Sequence, residues 1–294
     1  MFSTLLGALP PDPDLADATM GDRIRATFGE LEAAGVELVA SGERPALATP
    51  SAPPDPPDPS SVVEEWRLET SIATTAAVKQ VLPGPYSAGR NGARSAQAWA
   101  EALNPTIAAL AAAGCTFVEI DEPDALAISV VASERRRFVD AHRRLTDGIG
   151  GIHLSLTLTG GNLDVAGPAT FFDLPYASFA FDLIAGPDNW RLIAAAPGDR
   201  GVICGAMPAT PGGDKNRDVL VWAAHYAAST GGRGLARVGL ANASSMAGLP
   251  RAEAMSRLKI VAEASRIAAA PPAELIDRLD PRAMGRRSRR RPGG

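Results

Sequence analysis

Residues 111–123 read Ala-Ala-Ala-Gly-Cys-Thr-Phe-Val-Glu-Ile-Asp-Glu-Pro and contain the pattern that decides the fold. Thr116–Ile120 is rich in apolar and β-branched residues, which predicts a strand, and two acids and a proline end it. The segment before it is apolar at helical spacing, at Trp99, Leu103, Ile107 and Leu110. A helix followed by a strand with acids at its end is typical of α/β proteins, whose functional groups follow their strands.

The same alternation continues through most of the chain. Short β-rich runs predict eight strands, at Val36–Ala40, Val62–Leu68, Ala77–Leu82, Thr116–Ile120, Ile152–Leu158, Ser178–Leu183, Gly201–Ala206 and Arg237–Ala241. Because helical patterns separate most of them, the sequence predicts a TIM (β/α)8 barrel in one domain spanning residues 1–270. A doubly wound open sheet is the alternative, but no glycine-rich phosphate turn follows an early strand.

Two segments differ from the rest in composition. Pro45–Ser60 contains seven prolines, which predicts an extended, mobile loop where the first crossover belongs. Residues 271–294 contain six arginines after position 281, which predicts a basic disordered tail. The alternative for the tail is a weak electrostatic arm for an acidic partner.

Composition excludes several classes of protein. The chain has 294 residues, 46% of them hydrophobic, and a net charge of −4, so we expect no nucleic-acid partner. No apolar run approaches the ~20 residues of a membrane span, so we expect no membrane partner either. Two cysteines make a disulfide framework improbable and favour a reducing cytoplasm. A small-molecule substrate and a homodimer are compatible with these features.

Acidic residues follow several of the predicted strands. In a TIM barrel the carboxyl ends of the strands and the loops after them form the active face. Four acids would meet there and bind cations or amines, or exchange protons: Glu43, Asp121, Glu122 and Asp182. The alternative is that they cap helices and pair with nearby arginines. Tyr86 and Asn242 also follow strands, and together with Ser155 and Ser245 they are further candidate substrate-binding residues.

His153 and Ser155 are two residues apart on a predicted strand, so both side chains point to one face. His153 is a candidate general base together with Asp121, and a hydrogen-bonded core histidine is the alternative. No Ser-His-Asp motif and no Gly-x-Ser-x-Gly motif occur, so a hydrolase triad is not supported.

These motifs, in this order, resemble the catalytic C-terminal domain of cobalamin-independent methionine synthases, a TIM barrel of the uroporphyrinogen-decarboxylase and methionine-synthase type. The resemblance is to the short, archaeal-type members and extends weakly over residues 4–268. It is carried by residues 111–123, by Leu82-Pro83-Gly84-Pro85-Tyr86, by Thr4-Leu5-Leu6-Gly7-Ala8-Leu9-Pro10 and by Ser41-Gly42-Glu43.

The resemblance implies a zinc ion held by His, Cys, Glu and Cys, which activates a thiol that accepts the methyl group of 5-methyltetrahydrofolate. The family's His-x-Cys matches His153-Leu154-Ser155, its Glu falls near Asp182, and its second Cys falls near Ser245. Its catalytic His falls near Thr210, whereas the acids that contact the substrate amine match Glu43 and Asp121. Hydroxyls are poor zinc ligands compared with thiolates, so we expect no zinc and no tightly bound cofactor.

The sequence therefore predicts a methyltransferase-like enzyme that moves a methyl or one-carbon group, with 5-methyltetrahydrofolate as a candidate donor, to a small amine-bearing or polar acceptor. Asp121 and His153 are the candidate catalytic residues. A metal-free lyase or decarboxylase on the same barrel is one alternative, and a non-catalytic ligand-binding homologue is another.

Overall fold

The computed structural model of this protein describes residues 1–41, 55–91, 93–129 and 131–271. Glu43, residues 45–54 of the proline-rich segment and residues 272–294 of the basic tail lie outside the described residues. The predictions made for Glu43, for residues 45–54 of the mobile loop and for the disordered tail therefore fall on parts of the chain that the structure does not describe. The last two residues of the predicted loop, Pro59 and Ser60, instead begin a helix that extends to Ile72.

Within the described residues, short strands alternate with helices. The strands are β1 (Phe2–Ser3), β2 (Leu38–Val39), β3 (Ala77–Val78), β4 (Gln80–Pro83), β5 (Phe117–Glu122), β6 (His153–Leu158), β7 (Ser178–Asp182), β8 (Gly201–Met207) and β9 (Val238–Asn242). The helices are α1 (Met20–Ala34), α2 (Pro59–Ile72), α3 (Pro85–Asn91), α4 (Ala96–Ala113), α5 (Ala132–Thr146), α6 (Ala169–Phe172), α7 (Trp190–Ala195), α8 (Arg217–Ser229) and α9 (Arg251–Ala268).

The strands form a ring of parallel neighbours. Seven lie in the order β1-β9-β8-β7-β6-β5-β4, and β2 pairs with β3 in a second ladder. A bridge between Thr4 and Leu38 joins β1 to β2, and only Lys79 separates β3 from β4. The two ladders are thus parts of one barrel with eight strand positions, and the predicted TIM-barrel fold is confirmed.

One predicted strand is wrong. Val62–Leu68 lies inside α2, because Asp58 caps the helix by accepting hydrogen bonds from the backbone N–H groups of Ser60 and Ser61, and Pro59 occupies the first turn. The eighth strand position is instead filled by β1 at the start of the chain, which is only two residues long and has no periodic pattern.

Alternation along each strand separates two apolar regions. Leu154, Leu156 and Leu158 face outward and belong to the large core between the barrel and its helices. The lumen contains a small separate cluster formed by Leu6, Ala180, Ile203 and Ala241. Because β6 alternates, its odd-numbered residues from His153 to Thr157 face the lumen.

Among the helices of the described ranges, none combines the length and the apolar character needed to cross a membrane.

Candidate functional site

The upper lumen of the barrel, at the carboxyl ends of the strands, contains a buried polar group on each of three neighbouring strands. Asp121 of β5 pairs in register with Thr157 of β6, and Asp182 ends β7. All three are at least 96% buried. This end of the strands forms the active face of TIM barrels, so we refer to these residues as the mouth cluster.

Burial is the main influence on Asp121. The pKa of this carboxyl is raised from 3.8 to about 8, mainly by desolvation and further by the negative charges of Glu119 and Glu122, while the charge of Lys79 opposes the rise. Asp121 is therefore mostly protonated at neutral pH, and a modest change in its surroundings can ionise it. A carboxyl in this state can donate a hydrogen bond or exchange a proton.

Below Asp121, the lumen holds a buried ion pair between Lys79 and Glu119. The Lys79 Nζ lies 2.5 Å from Glu119 Oε2 and also donates to the carbonyl of Leu5 at 2.5 Å. Both charged side chains are almost completely buried. These two contacts stabilise the ammonium group of Lys79, and the ion pair places one charge of each sign in the lumen next to Asp121.

Three polar oxygens around this pair have no hydrogen-bond partner in the described part of the chain. They are Glu119 Oε1, Ser155 Oγ and Thr157 Oγ1. Glu119 pairs in register with Ser155 just as Asp121 pairs with Thr157, so the oxygens lie on two adjacent strands and face the same lumen. Buried polar atoms nearly always have a partner, so these oxygens are sites for solvent or for polar groups of a ligand.

Asp182 is tied to the backbone around it. Its Oδ1 accepts hydrogen bonds from the N–H groups of Ile184 at 2.9 Å and Ala185 at 2.8 Å, and its Oδ2 accepts from Gly160 at 3.4 Å. Burial raises the pKa of Asp182, and these three bonds oppose that rise. Asp182 therefore shapes the turn after β7 in addition to lining the mouth.

Glu122 faces away from the lumen. Its carboxylate accepts hydrogen bonds from the N–H groups of Tyr86 at 2.9 Å and Ser87 at 2.7 Å, at the start of α3. The Nε2 atom of His142 lies 3.0 Å from its Oε1. Glu122 thus attaches β5 to α3 and α5, and the structure does not bring it together with the mouth cluster.

Tyr86 has a similar position on the outer side of the barrel. Its hydroxyl donates to Glu134 of α5 at 2.7 Å, and burial, together with that bond, raises its pKa to about 12. It packs edge-on against Phe138 with ring centroids 5.6 Å apart. Its ring and hydroxyl therefore hold α3 against α5.

Asn242, the last residue of β9, joins the last strand of the barrel to the segment that follows the first strand. Its Oδ1 accepts from the N–H of Leu6 at 3.0 Å, and its Nδ2 donates to the carbonyls of Leu6 and Ser244 at 2.7 Å each. Ser245 donates through Oγ to the carbonyl of Ala8 at 3.3 Å. Both predicted binding residues secure the first strand segment against the loop after β9.

His153 lies at the opposite end of the barrel from the mouth cluster. It is the first residue of β6, pairs in register with Phe117, and its Nε2 lies 2.8 Å from Ser178 Oγ. The structure therefore does not bring together His153 and Asp121, the two candidate catalytic residues. Ser155 lies between the two ends, fully buried beside Glu119.

Among the residues that the structure describes, those that face the mouth do not fit a zinc ion. At the mouth end of β6 the i and i+2 spacing of His-x-Cys is represented by Thr157, in the strand, and Thr159, directly after it, and both side chains are hydroxyls. The described residues contain no group of three or more His, Cys, Asp or Glu side chains that could hold a metal. Cys115 and Cys204 are buried elsewhere, and burial raises the pKa of Cys204 to about 12.

The sequence did not identify Thr157, Glu119 or Lys79 as site residues. Alternation along β6 gives a signal for Thr157, because it shares a face with His153 and Ser155 and lies closer to the strand's end. The Lys79 and Glu119 pair has no local signal, since the two residues are 40 positions apart in the chain.

Comparisons with solved structures show the fold that this chain shares. A B12-independent methionine synthase from Shewanella sp. W3-18-1, in complex with selenomethionine, is 14% identical with a TM-score of 0.73, and the match covers 90% of this chain and 96% of that one. A protein from Listeria monocytogenes, provisionally named as a vitamin-B12-independent methionine synthase, is 13% identical with a TM-score of 0.70, and the match covers 92% of this chain and 98% of that one. A methyltransferase from Methanosarcina mazei is 12% identical with a TM-score of 0.62, and the match covers 92% of this chain and 95% of that one. No protein-family model and no curated protein sequence matches the chain.

Proposed function

We propose that this protein is an enzyme that transfers a methyl or other one-carbon group to a small acceptor bearing an amine or another polar group. The observation that carries the proposal is the buried carboxyl of Asp121 at the mouth of the barrel, beside the unpaired hydroxyl of Thr157. TIM-barrel enzymes place their reacting groups at this end of the strands. The likeness of the fold to methionine synthases and to a methyltransferase agrees with a methyl-transfer reaction.

Asp121 is the proposed general base. In its ionised form it takes the proton from the nucleophilic atom of the acceptor while that atom forms a bond to the methyl carbon. The bond between the methyl carbon and the donor breaks in the same step, and its electron pair stays on the donor atom, which then takes a proton from solvent. A pKa of about 8 suits this role, because both forms of the carboxyl are populated near neutral pH.

The unpaired oxygens are the proposed binding groups for the acceptor. Thr157 Oγ1 and Ser155 Oγ can each donate or accept a hydrogen bond, and Glu119 Oε1 accepts one. An ammonium group on the acceptor would favour the ionised form of Asp121, so its binding would release a proton at neutral pH.

The proposed donor is 5-methyltetrahydrofolate, on the strength of the sequence resemblance. The proposed reaction contains no zinc-bound thiolate, because the residues at the mouth do not fit a zinc ion. It therefore applies to acceptors whose nitrogen or carbon nucleophile becomes reactive when it loses a proton.

The test is an assay with 5-methyltetrahydrofolate and a panel of amine acceptors, in which mass spectrometry follows the methylated products. Asp121→Asn should lower turnover by about 100-fold or more, since it removes the general base. Asp140→Asn changes an exposed acid on α5 and should keep the wild-type rate.

Three results would contradict the proposal. Equal turnover by wild type and Asp121→Asn would remove Asp121 from the mechanism. Release of carbon dioxide from a carboxylated substrate, without methyl transfer, would identify a decarboxylase. Binding of the folate or an amine with no turnover of any panel member would identify a non-catalytic homologue.

A further inference from the structure

A cavity of about 280 Å³ opens at the end of the barrel opposite the mouth cluster. Four strands, β6 to β9, begin around it, and Phe2 of β1 closes one side. The described residues that line it include Phe2, His153, Ser178, Asp199, Val202 and Arg237. Most of this lining is apolar, and the charged groups belong to only a few residues.

His153 forms a fixed wall of this cavity. Its ring stacks on Phe117 with centroids 4.5 Å apart and planes inclined by 18°, and its Nε2 lies 2.8 Å from Ser178 Oγ. Burial lowers the pKa of His153, so the imidazole is neutral at pH 7. A neutral, immobilised ring is a suitable flat surface for an apolar group.

The exposed side of the cavity has one charge of each sign. Arg237 is exposed, and its guanidinium has no hydrogen bond or ion pair with any described residue. Asp199 is also exposed, and its only ion pair in the described ranges is a loose one with Arg200 at 3.9 Å. Both charges therefore remain available to a ligand that enters the cavity.

We propose that this cavity binds a zwitterionic amino acid with an apolar side chain. The carboxylate of the ligand pairs with Arg237, its ammonium group pairs with Asp199, and its side chain packs against Phe2, Val202 and the ring of His153. A ligand with one charge would leave Asp199 or Arg237 unmatched, whereas a zwitterion uses both. The site is independent of the mouth cluster and of the proposed methyl transfer.

The experiment is a titration of the full chain with L-phenylalanine, followed by NMR of the His153 imidazole and by calorimetry. Two matched compounds each lack one charge: 3-phenylpropanoate has no ammonium group, and 2-phenylethylamine has no carboxylate. We expect L-phenylalanine to shift the His153 resonances and to bind about threefold more tightly than either compound, because each compound loses one ion pair with an exposed side chain.

Two surface variants test which protein side chain pairs with each charge of the ligand. Arg237→Gln should weaken the binding of L-phenylalanine about threefold and leave that of 2-phenylethylamine unchanged. Asp199→Asn should weaken L-phenylalanine similarly and leave 3-phenylpropanoate unchanged. Arg144→Gln, on the exposed face of α5, is the matched control and should leave the affinities for all three compounds unchanged.

The proposal is overturned if L-phenylalanine leaves the His153 resonances unchanged, if the three compounds bind equally, or if neither Arg237→Gln nor Asp199→Asn alters binding. None of these results depends on whether the mouth of the barrel transfers methyl groups.

Discussion

Asp121 and His153 show how far the sequence specifies individual site residues. Asp121 follows a strand whose end is marked by two acids and a proline, so its place at the mouth could be predicted. His153 is the first residue of β6, and its distance from the mouth depends on where the strand begins. Alternation gives the face of a strand but not the end, so the sequence placed His153 at the wrong end of the barrel.

Asp121→Asn should change how stability depends on pH. The pKa of Asp121 is raised from 3.8 to about 8, so the folded protein holds a proton that the unfolded chain has released between these values. The wild-type free energy of unfolding should therefore fall as the pH rises through this window, by up to about 1.4 kcal/mol per pH unit. The variant lacks this dependence. In urea unfolding, its free energy of unfolding relative to that of wild type should therefore increase from about pH 5 to pH 8. Parallel pH profiles for the two proteins would refute this prediction.

Thr157→Val tests whether the unpaired hydroxyl is a binding group. The hydroxyl has no partner in the described chain, so its loss should change the free energy of unfolding by less than about 1 kcal/mol while weakening acceptor binding. Thr4→Val is the matched control, because Thr4 is equally buried and donates to the carbonyl of Leu38 at 2.8 Å. In the control, the free energy of unfolding should fall by about 1–2 kcal/mol. An equally large loss in Thr157→Val would make Thr157 a structural residue.

At the scale of single elements, helices with capping residues could be predicted better than very short strands. Asp58 and Pro59 are a helix-start signal directly before the residues predicted as a strand at Val62–Leu68. The apolar and β-branched content of that run outweighed the signal and gave the wrong assignment. β1 is the converse case, since two residues that complete a barrel have no pattern of their own.

Glu122→Gln should destabilise the junction between β5 and α3. The carboxylate accepts two N–H bonds at the start of α3 and lies 3.0 Å from His142, all in a fully buried environment. Loss of its charge should lower the free energy of unfolding by about 2 kcal/mol in chemical denaturation. The control, Glu101→Gln, affects an exposed pair with Arg144 and should cost less than about 1 kcal/mol. Equal effects of the two variants would contradict the assignment of Glu122 as a structural acid.

At the scale of the whole molecule, closure of the barrel depends on its first and last strands. Asn242→Leu keeps the approximate side-chain size but removes three hydrogen bonds and leaves the backbone of Leu6 without its partner. We expect the free energy of unfolding to fall by about 3 kcal/mol or more and the backbone amide of Leu6 to exchange faster. Asn104→Leu removes two bonds on the outer side of α4, so it should leave the exchange at Leu6 unchanged. Unaltered exchange in Asn242→Leu would show that closure does not depend on this side chain.

The overall architecture could be predicted because it follows from a pattern repeated along the chain. The polar lumen could not, because Lys79 precedes β4, Glu119 lies in β5 and Thr157 lies in β6, and these residues come together only when the three strands pair. The contact between Asn242 and Leu6 spans 236 positions, and no local pattern predicts it.

A carbon-13 NMR titration of the Asp121 side-chain carboxyl, assigned with Asp121→Asn, tests the proposed proton exchange most directly. The carboxyl should be largely protonated at pH 7 and should titrate near pH 8, because it is buried beside Glu119 in the lumen. Full ionisation at pH 7, with titration near the ordinary aspartate value of about 4, would contradict this expectation. Asp121 would then be a permanently charged residue, and its proposed role in proton exchange would be lost.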